Sequence, residues 1–184
     1  MRSALLLTGF GRAFDPSESG PPLRAVAEAV TPAVDELVVA CPDGRRSAVA
    51  AALPDIEHRL AVDPVADEGP VGAMRTGVRV VNGGSVAIVA GDVPTVDTRL
   101  LDDLFDACET AAVPRSDGRL HPLHAVYDAA AVRVACDHTL AAGSGRLYDV
   151  LSRLDPVVVD AEAPDVDAHP LTIGSHADVA PATD

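Results

Sequence analysis

The chain contains no lysine; its fourteen basic residues other than histidine are all arginine. Against them stand 28 acidic residues, for a formal net charge of −14 and a pI near 4.6. An ordinary acidic protein would carry some lysine. Dense carboxylates hold water and cations, and in molar salt the Debye length is only about 3 Å, so their mutual repulsion is screened. The expected source is a halophile with a salt-rich cytosol. A surface of this sign repels the nucleic-acid backbone and anionic membranes, which argues against both as partners. Aromatic residues make up only 3% of the chain, so the core must be built from small aliphatic side chains. Cysteine is scarce: Cys41, Cys108 and Cys136 are odd in number and show no CxxC spacing. That argues against a zinc site and for free thiols in a reducing compartment. No apolar run approaches the roughly 20 residues of a membrane helix, and the run at 4–7 is too short for a secretion signal. The expected location is the cytoplasm.

What is present is a core. With 184 residues and 48% hydrophobic composition, the chain is long enough for one sizeable domain. Short apolar runs at Ser3–Thr8, Glu36–Cys41, His58–Val62 and Val86–Ala90 read as buried strands. Ala111–Pro114, Leu120–Tyr127 and Val157–Val159 add three more. Between them, helical spacing covers Leu23–Val30, Arg46–Leu53, Val71–Val81, Thr98–Cys108, Ala129–Leu140 and Arg146–Leu154. Phe10–Pro22 and Asp63–Gly69 read as loops. Strands alternating with helices imply parallel pairing, because each crossover needs an element to carry the chain back. The expected fold is a three-layer α/β/α sandwich with a mostly parallel sheet. Residues 1–160 form the domain, and the acidic segment 161–184 is expected to be partly disordered.

Ligands of such sheets bind at the carboxyl ends of the strands. Gly9, Asp63 and Asp92 each fall just past a predicted strand. In Thr8-Gly9-Phe10-Gly11-Arg12, glycines let backbone N–H groups approach phosphate oxygens, and Arg12 can add a bidentate contact. The same residues also suit a tight turn without a ligand. Phe14 stands where a dinucleotide fingerprint needs its third glycine, which argues against a nicotinamide cofactor. A carboxylate such as Asp92 at the end of an apolar strand is costly unless solvated or paired. Magnesium on a triphosphate is a natural partner; a capping role is the alternative. Asp63 can accept the N–H groups of a guanine edge, or be one loop aspartate among many. Gly69-Pro70-Val71-Gly72 opens a helix whose N-terminus can receive an anion or a purine edge. His121 can contact an acceptor phosphate, or be a half-exposed strand histidine. No G-x-S-x-G elbow is present, and Asp137, His138 and Ser144 do not resemble a hydrolase triad.

Taken in order, these pieces resemble the molybdenum cofactor guanylyltransferases, MobA-like members of the wider sugar-nucleotide transferase superfamily. Leu7-Thr8-Gly9 stands where that family has Leu-Ala-Gly before its nucleotide loop. Gly20-Pro21-Pro22-Leu23 is similar to its Gly-Lys-Pro-Leu, and residues 34–39 to its second strand. Asp63 with Gly69-Pro70-Val71-Gly72 is similar to its Asp…Gly-Pro-Leu-x-Gly, and Gly91-Asp92-Val93-Pro94 to its Cys-Asp-x-Pro. Gly118-Arg119 with His121-Pro122-Leu123 resembles the stretch facing the pterin. The resemblance implies a Rossmann-like nucleotide-diphospho-sugar transferase fold and transfer of GMP from GTP to molybdopterin. It implies Mg2+ held by Asp92, and nucleotide contacts from Leu7, Thr8, Gly9, Gly11, Asp63, Gly69, Pro70 and Gly72. Arg12 would supply charge at the phosphates, and His121 would face the acceptor. The chain departs from the family in three places. Only Arg12 is cationic where the loop lysine belongs. Ala40 replaces an asparagine. In Thr172-Ile173-Gly174-Ser175-His176-Ala177-Asp178, Gly174 replaces a second asparagine. The alternatives are a paralogue that binds nucleotide or pterin without turnover, and a related guanylyltransferase with another phosphate acceptor. A divergent haloarchaeal-type member acting as a monomer is the expectation.

Overall fold

The computed structural model describes residues 1–9, 12–15, 22–63, 69–93 and 97–161. Its centre is an eight-stranded sheet. The first strand, β1 (Arg2–Leu7), is buried from Ser3 onward. Helix α1 (Pro22–Val30) returns the chain to β2 (Glu36–Pro42). Helix α2 (Arg46–Ala52) leads to β3 (Arg59–Asp63), and α3 (Gly69–Val78) to β4 (Ser85–Ala90). Helix α4 (Thr98–Ala107) precedes β5 (Ala111–Ser116), the short β6 (Arg119–Leu120) and β7 (His124–Asp128). Then come α5 (Ala129–Ala141), α6 (Leu147–Leu151) and β8 (Pro156–Asp160).

The strand order is β3-β2-β1-β4-β7-β5-β6, with β8 along β5. β1 lies parallel between β2 and β4, opposing Leu5 to both Val38 and Ile88. Strands covered on both faces need apolar residues at every position, and so β1, β2 and β4 read as unbroken runs. Leu5, Ile88, Met74, Val132, Cys136 and Val150 pack on the face covered by α3, α5 and α6. Leu6, Val89, Leu23, Val26, Val49 and Leu104 pack on the other, beneath α1, α2 and α4. Gly77 lets α3 sit hard against β1: a Cβ there would lie 2.4 Å from Leu5 Cδ1. Two helices start on aspartate caps. Asp97 accepts from the Arg99 and Leu100 N–H groups, and Asp128 from that of Ala131.

The three-layer, mostly parallel expectation holds. Strand Leu120–Tyr127 does not hold as one piece. It is two strands joined by a turn in which the His124 N–H donates to the His121 carbonyl at 3.0 Å. Pro122, which has no N–H, sits inside that turn. β7 therefore runs antiparallel between β4 and β5. The β5–β6 hairpin turns through Asp117 and Gly118, both at positive φ (48° and 73°), the backbone that an Asp-Gly pair adopts most readily. β2 extends one residue further than expected, because Pro42 still pairs with Asp63 in register. Helix α3 starts at Gly69 rather than Val71, and α6 is shorter than the spacing suggests. Among the described residues, no helix is long and apolar enough to cross a membrane. Residues 162–184 and most of the Phe10–Pro22 loop lie outside the described residues.

Candidate functional site

The parallel strands β1 to β4 all end on one rim of the sheet, and their carboxyl ends carry the residues singled out above. A small concavity there is lined by Gly9, Ala40, Cys41, Pro42, Asp63, Gly69 and Ala73. It joins the ends of β1, β2 and β3 to the start of α3. Asp63 is the last residue of β3 and only 7% exposed. Gly69 has φ +64°, a left-handed conformation that costs other residues strain and that turns the chain into α3. Pro70 occupies the first turn, where its missing N–H breaks no helical bond. Gly72 is buried within α3. Gly9 is exposed, and a Cβ there would meet nothing nearer than Pro42 at 3.9 Å.

Leu7 and Thr8 serve this rim through the backbone. The Leu7 side chain lies wholly in the core, and its carbonyl accepts from the Gly91 N–H at 2.9 Å. The Thr8 hydroxyl donates to the Ala40 carbonyl at 2.9 Å, which ties β1 to β2 just below Gly9. Gly91 is needed for closeness: a Cβ would sit 3.1 Å from the Leu7 carbonyl oxygen.

Asp92 follows Gly91. Its Oδ2 accepts from the Arg12 N–H at 3.3 Å, so the loop after β1 and the turn after β4 meet. Its Oδ1 is buried with no hydrogen-bond partner among the described residues. A buried, unpaired carboxylate oxygen is expensive, and a hard cation is the ligand that would compensate it. No cluster of three or more metal-ligating side chains occurs among the described residues. The Arg12 guanidinium is exposed and, among the described residues, makes a loose contact with Asp15 at 3.8 Å. Sequence reasoning missed Arg45, whose guanidinium lies 5.6 Å from the centre of the Phe14 ring and so flanks the same loop. The missed wall residues are Cys41, Pro42 and Ala73. Burial pushes the Cys41 thiol up, which keeps it protonated and inert.

His121 stands apart from the concavity, on the turn before β7. Its Nε2 shares a 2.7 Å hydrogen bond with the Ser116 hydroxyl. The turn is fastened to the Asp92 side of the rim, because the Ala90 N–H donates to the Leu123 carbonyl at 3.1 Å. His124, also missed, has a buried Nε2 with no partner among the described residues. Burial, with the neighbouring His121, lowers its pKa to about 4, so the ring is neutral near pH 7. Thus Gly9, Asp63 and Gly69 come together, Arg12 and Asp92 come together, and His121 borders the far half of the rim. Gly11, Gly20, Pro21, Pro94 and residues 172–178 lie outside the described residues.

Comparison with known proteins identifies the family. The model of the MobA-like NTP transferase domain matches residues 9–171. The chain belongs to that family. A probable molybdenum cofactor guanylyltransferase of Natronomonas pharaonis is 39% identical over 145 residues, covering 78% of this chain and 72% of its own. One from Haloferax mediterranei is 39% identical over 163 residues, covering 88% and 77%. Among solved structures, molybdopterin-guanine dinucleotide biosynthesis protein A of Archaeoglobus fulgidus superposes with a TM-score of 0.69 at 22% identity. It covers 87% of this chain and 83% of that one, a likeness of fold. The family match extends through the β5–β8 half of the sheet.

Proposed function

We propose that this protein transfers GMP from GTP to the terminal phosphate of molybdopterin and releases pyrophosphate. The observation that carries this reading is the convergence of Gly9, Asp63 and Gly69 in one concavity, with Asp92 on the adjoining strand end. Relatives 39% identical over most of their length bear the name of that activity. In the transfer, an oxygen of the acceptor phosphate attacks the α-phosphorus of GTP. The bond from that phosphorus to the bridging oxygen breaks, and pyrophosphate leaves with its electron pair. The protein has no covalent work to do, so positioning and charge neutralisation supply the rate.

Asp63 accepts the guanine edge, with Gly69, Pro70 and Gly72 framing the base from the start of α3. Gly9 and Gly11 bring backbone N–H groups to the phosphates. Arg12 supplies the cationic charge there, and Arg45, which flanks the same loop at Phe14, is the second candidate. His121 faces the acceptor phosphate, positioned through Ser116. Asp92 would hold Mg2+ through its unpaired Oδ1, and a bound Mg2+ would neutralise charge on the triphosphate. A cytoplasmic location suits this reaction, and the lysine-free acidic composition suits a salt-rich cytosol.

One observation favours a second reading, a binding module without turnover. The chain has no lysine to place at the phosphates, and among the described residues the exposed Arg12 guanidinium meets Asp15 at 3.8 Å, a loose contact. The experiment incubates the protein with GTP, Mg2+ and molybdopterin in molar KCl and follows pyrophosphate release. Release that needs both GTP and molybdopterin supports the transferase. Calorimetric GTP binding without release selects the binding module. Release with ATP or CTP at equal rate overturns the guanine assignment.

A further inference from the structure

We infer that the ring of Tyr148 is the stacking face for the flat heterocycle of the acceptor, resting on the guanylyl-transfer reading above. Tyr148 is the second residue of α6, the short helix that follows α5. It is 53% exposed, and it is the only exposed aromatic side chain among the described residues. Phe105 and Tyr127 are buried, and Phe14 is half-buried.

Exposure alone would mean little, since single apolar residues are common on surfaces. Tyr148, however, is both exposed and tethered. Its hydroxyl donates to the Leu120 carbonyl at 3.2 Å, across 28 residues of sequence. Leu120 ends β6, and the next residue is His121, already held by Ser116 at 2.7 Å. The tether therefore fixes the ring beside the strand end that carries the proposed acceptor contact. Leu120 pairs with Arg115 near the carboxyl end of β5, on the same rim as Gly9, Asp63 and Asp92. Leu147, Val150 and Leu151 anchor the short helix in the core, which leaves Tyr148 free to present a face outward. A ring held by its polar tip offers a flat, preorganised surface, and stacking on a heteroaromatic system is what such a surface favours. A pterin is a planar heteroaromatic ring with polar edges, and its exposed π-face matches. Next to Leu120, Arg119 lies exposed and can meet anionic groups of the same ligand.

The test uses 6-hydroxymethylpterin alone as the probe, with wild-type protein, Tyr148→Phe and Tyr148→Leu. The side chain is outside the core, so both variants should melt with the wild type. The chain has two tyrosines and no tryptophan, and Tyr127 is fully buried with its hydroxyl on the Pro122 carbonyl. Quenching in excess of that seen in Tyr148→Leu, where Tyr127 alone emits, therefore reports contact at Tyr148, and calorimetry gives the affinity of all three proteins. Tyr148→Phe keeps the ring but loses the tether to Leu120, so it should bind the pterin more weakly than the wild type and more tightly than Tyr148→Leu. Tyr148→Leu should bind at least about tenfold more weakly, the scale of one aromatic stacking contact. GTP binding should be equal in all three. Equal pterin affinity in Tyr148→Leu, or no pterin binding by the wild type, overturns the inference. Loss of GTP binding by the wild type would instead overturn the transferase reading, so the two failures are distinct.

Discussion

Replacing Asp92 by alanine should stabilise the protein without metal while abolishing magnesium-dependent GTP binding. The reasoning starts from the two oxygens of one carboxylate. Oδ2 accepts a 3.3 Å bond from the Arg12 N–H, and Oδ1 is buried with no partner among the described residues. A bond to a carboxylate contributes about 1.5–3 kcal/mol at good geometry and less at this length, whereas a buried charged oxygen left unsatisfied costs more than the roughly 1–3 kcal/mol of a neutral atom. Truncation removes both terms, and the unsatisfied oxygen is the larger. The net gain should be about 1 kcal/mol, which for a chain of this size raises the melting temperature by about 2–4 °C. The assay is a thermal melt by circular dichroism in chelator and molar KCl, for wild type and Asp92→Ala side by side. Calorimetry with GTP, with and without Mg2+, completes it. Function that is held at the expense of stability would show as a higher melting temperature and no magnesium-dependent binding. A melting temperature lower by several degrees would show that Asp92 is a structural residue. Unchanged magnesium-dependent binding would remove it from the metal site.

Gly77→Ala should destabilise by about 1–3 kcal/mol or more through overpacking, because its Cβ would lie 2.4 Å from Leu5 Cδ1; urea unfolding measures it, and an unchanged midpoint would mean that α3 can move off the sheet. Burial alone would raise the Glu36 pKa, but hydrogen bonds from the Asn82 N–H, the Ser3 hydroxyl and Arg59, together with the Arg59 charge, hold it below the usual carboxylate range. Its contribution to stability is thus complete above the unfolded pKa and lost as pH falls through the folded one. Glu36→Gln should lower stability at pH 7 and flatten that acid limb in melts taken from pH 7 to pH 3; a parallel limb would refute the assignment. Burial keeps His124 neutral, with its pKa lowered from 6.5 to about 4. The unfolded chain takes up that proton first, so stability should decline by about 3 kcal/mol as pH falls across this interval. His124→Leu should remove that part of the decline, and a titration of stability against pH that is identical in the variant would show that His124 has no such role.

Much of the fold could be read without coordinates. β1, β2 and β4 are buried on both faces, so they appear as unbroken apolar runs, and Gly, Pro and Asp mark where they stop. Asp63 and Asp92 were found because a carboxylate at the end of such a run stands out. Asp117-Gly118 announces a hairpin by its chemistry, but the strand after it read as continuous, because the turn at His121–His124 rests on hydrogen bonds to residues 114 and 121. Pro42 looked like a stop, yet it pairs with Asp63 across the sheet. Alternation of strands and helices alone determined the layered architecture, since each buried run needs a covering helix. Order and register belong to the tertiary structure. Only strand pairing sets β7 antiparallel beside β4, and only packing brings Ala40, Cys41 and Ala73 around Asp63 and joins Arg12 to Asp92, eighty residues apart. Local pattern records which residues avoid water; it carries no record of which distant neighbour shields them, and the candidate site is made of such neighbours.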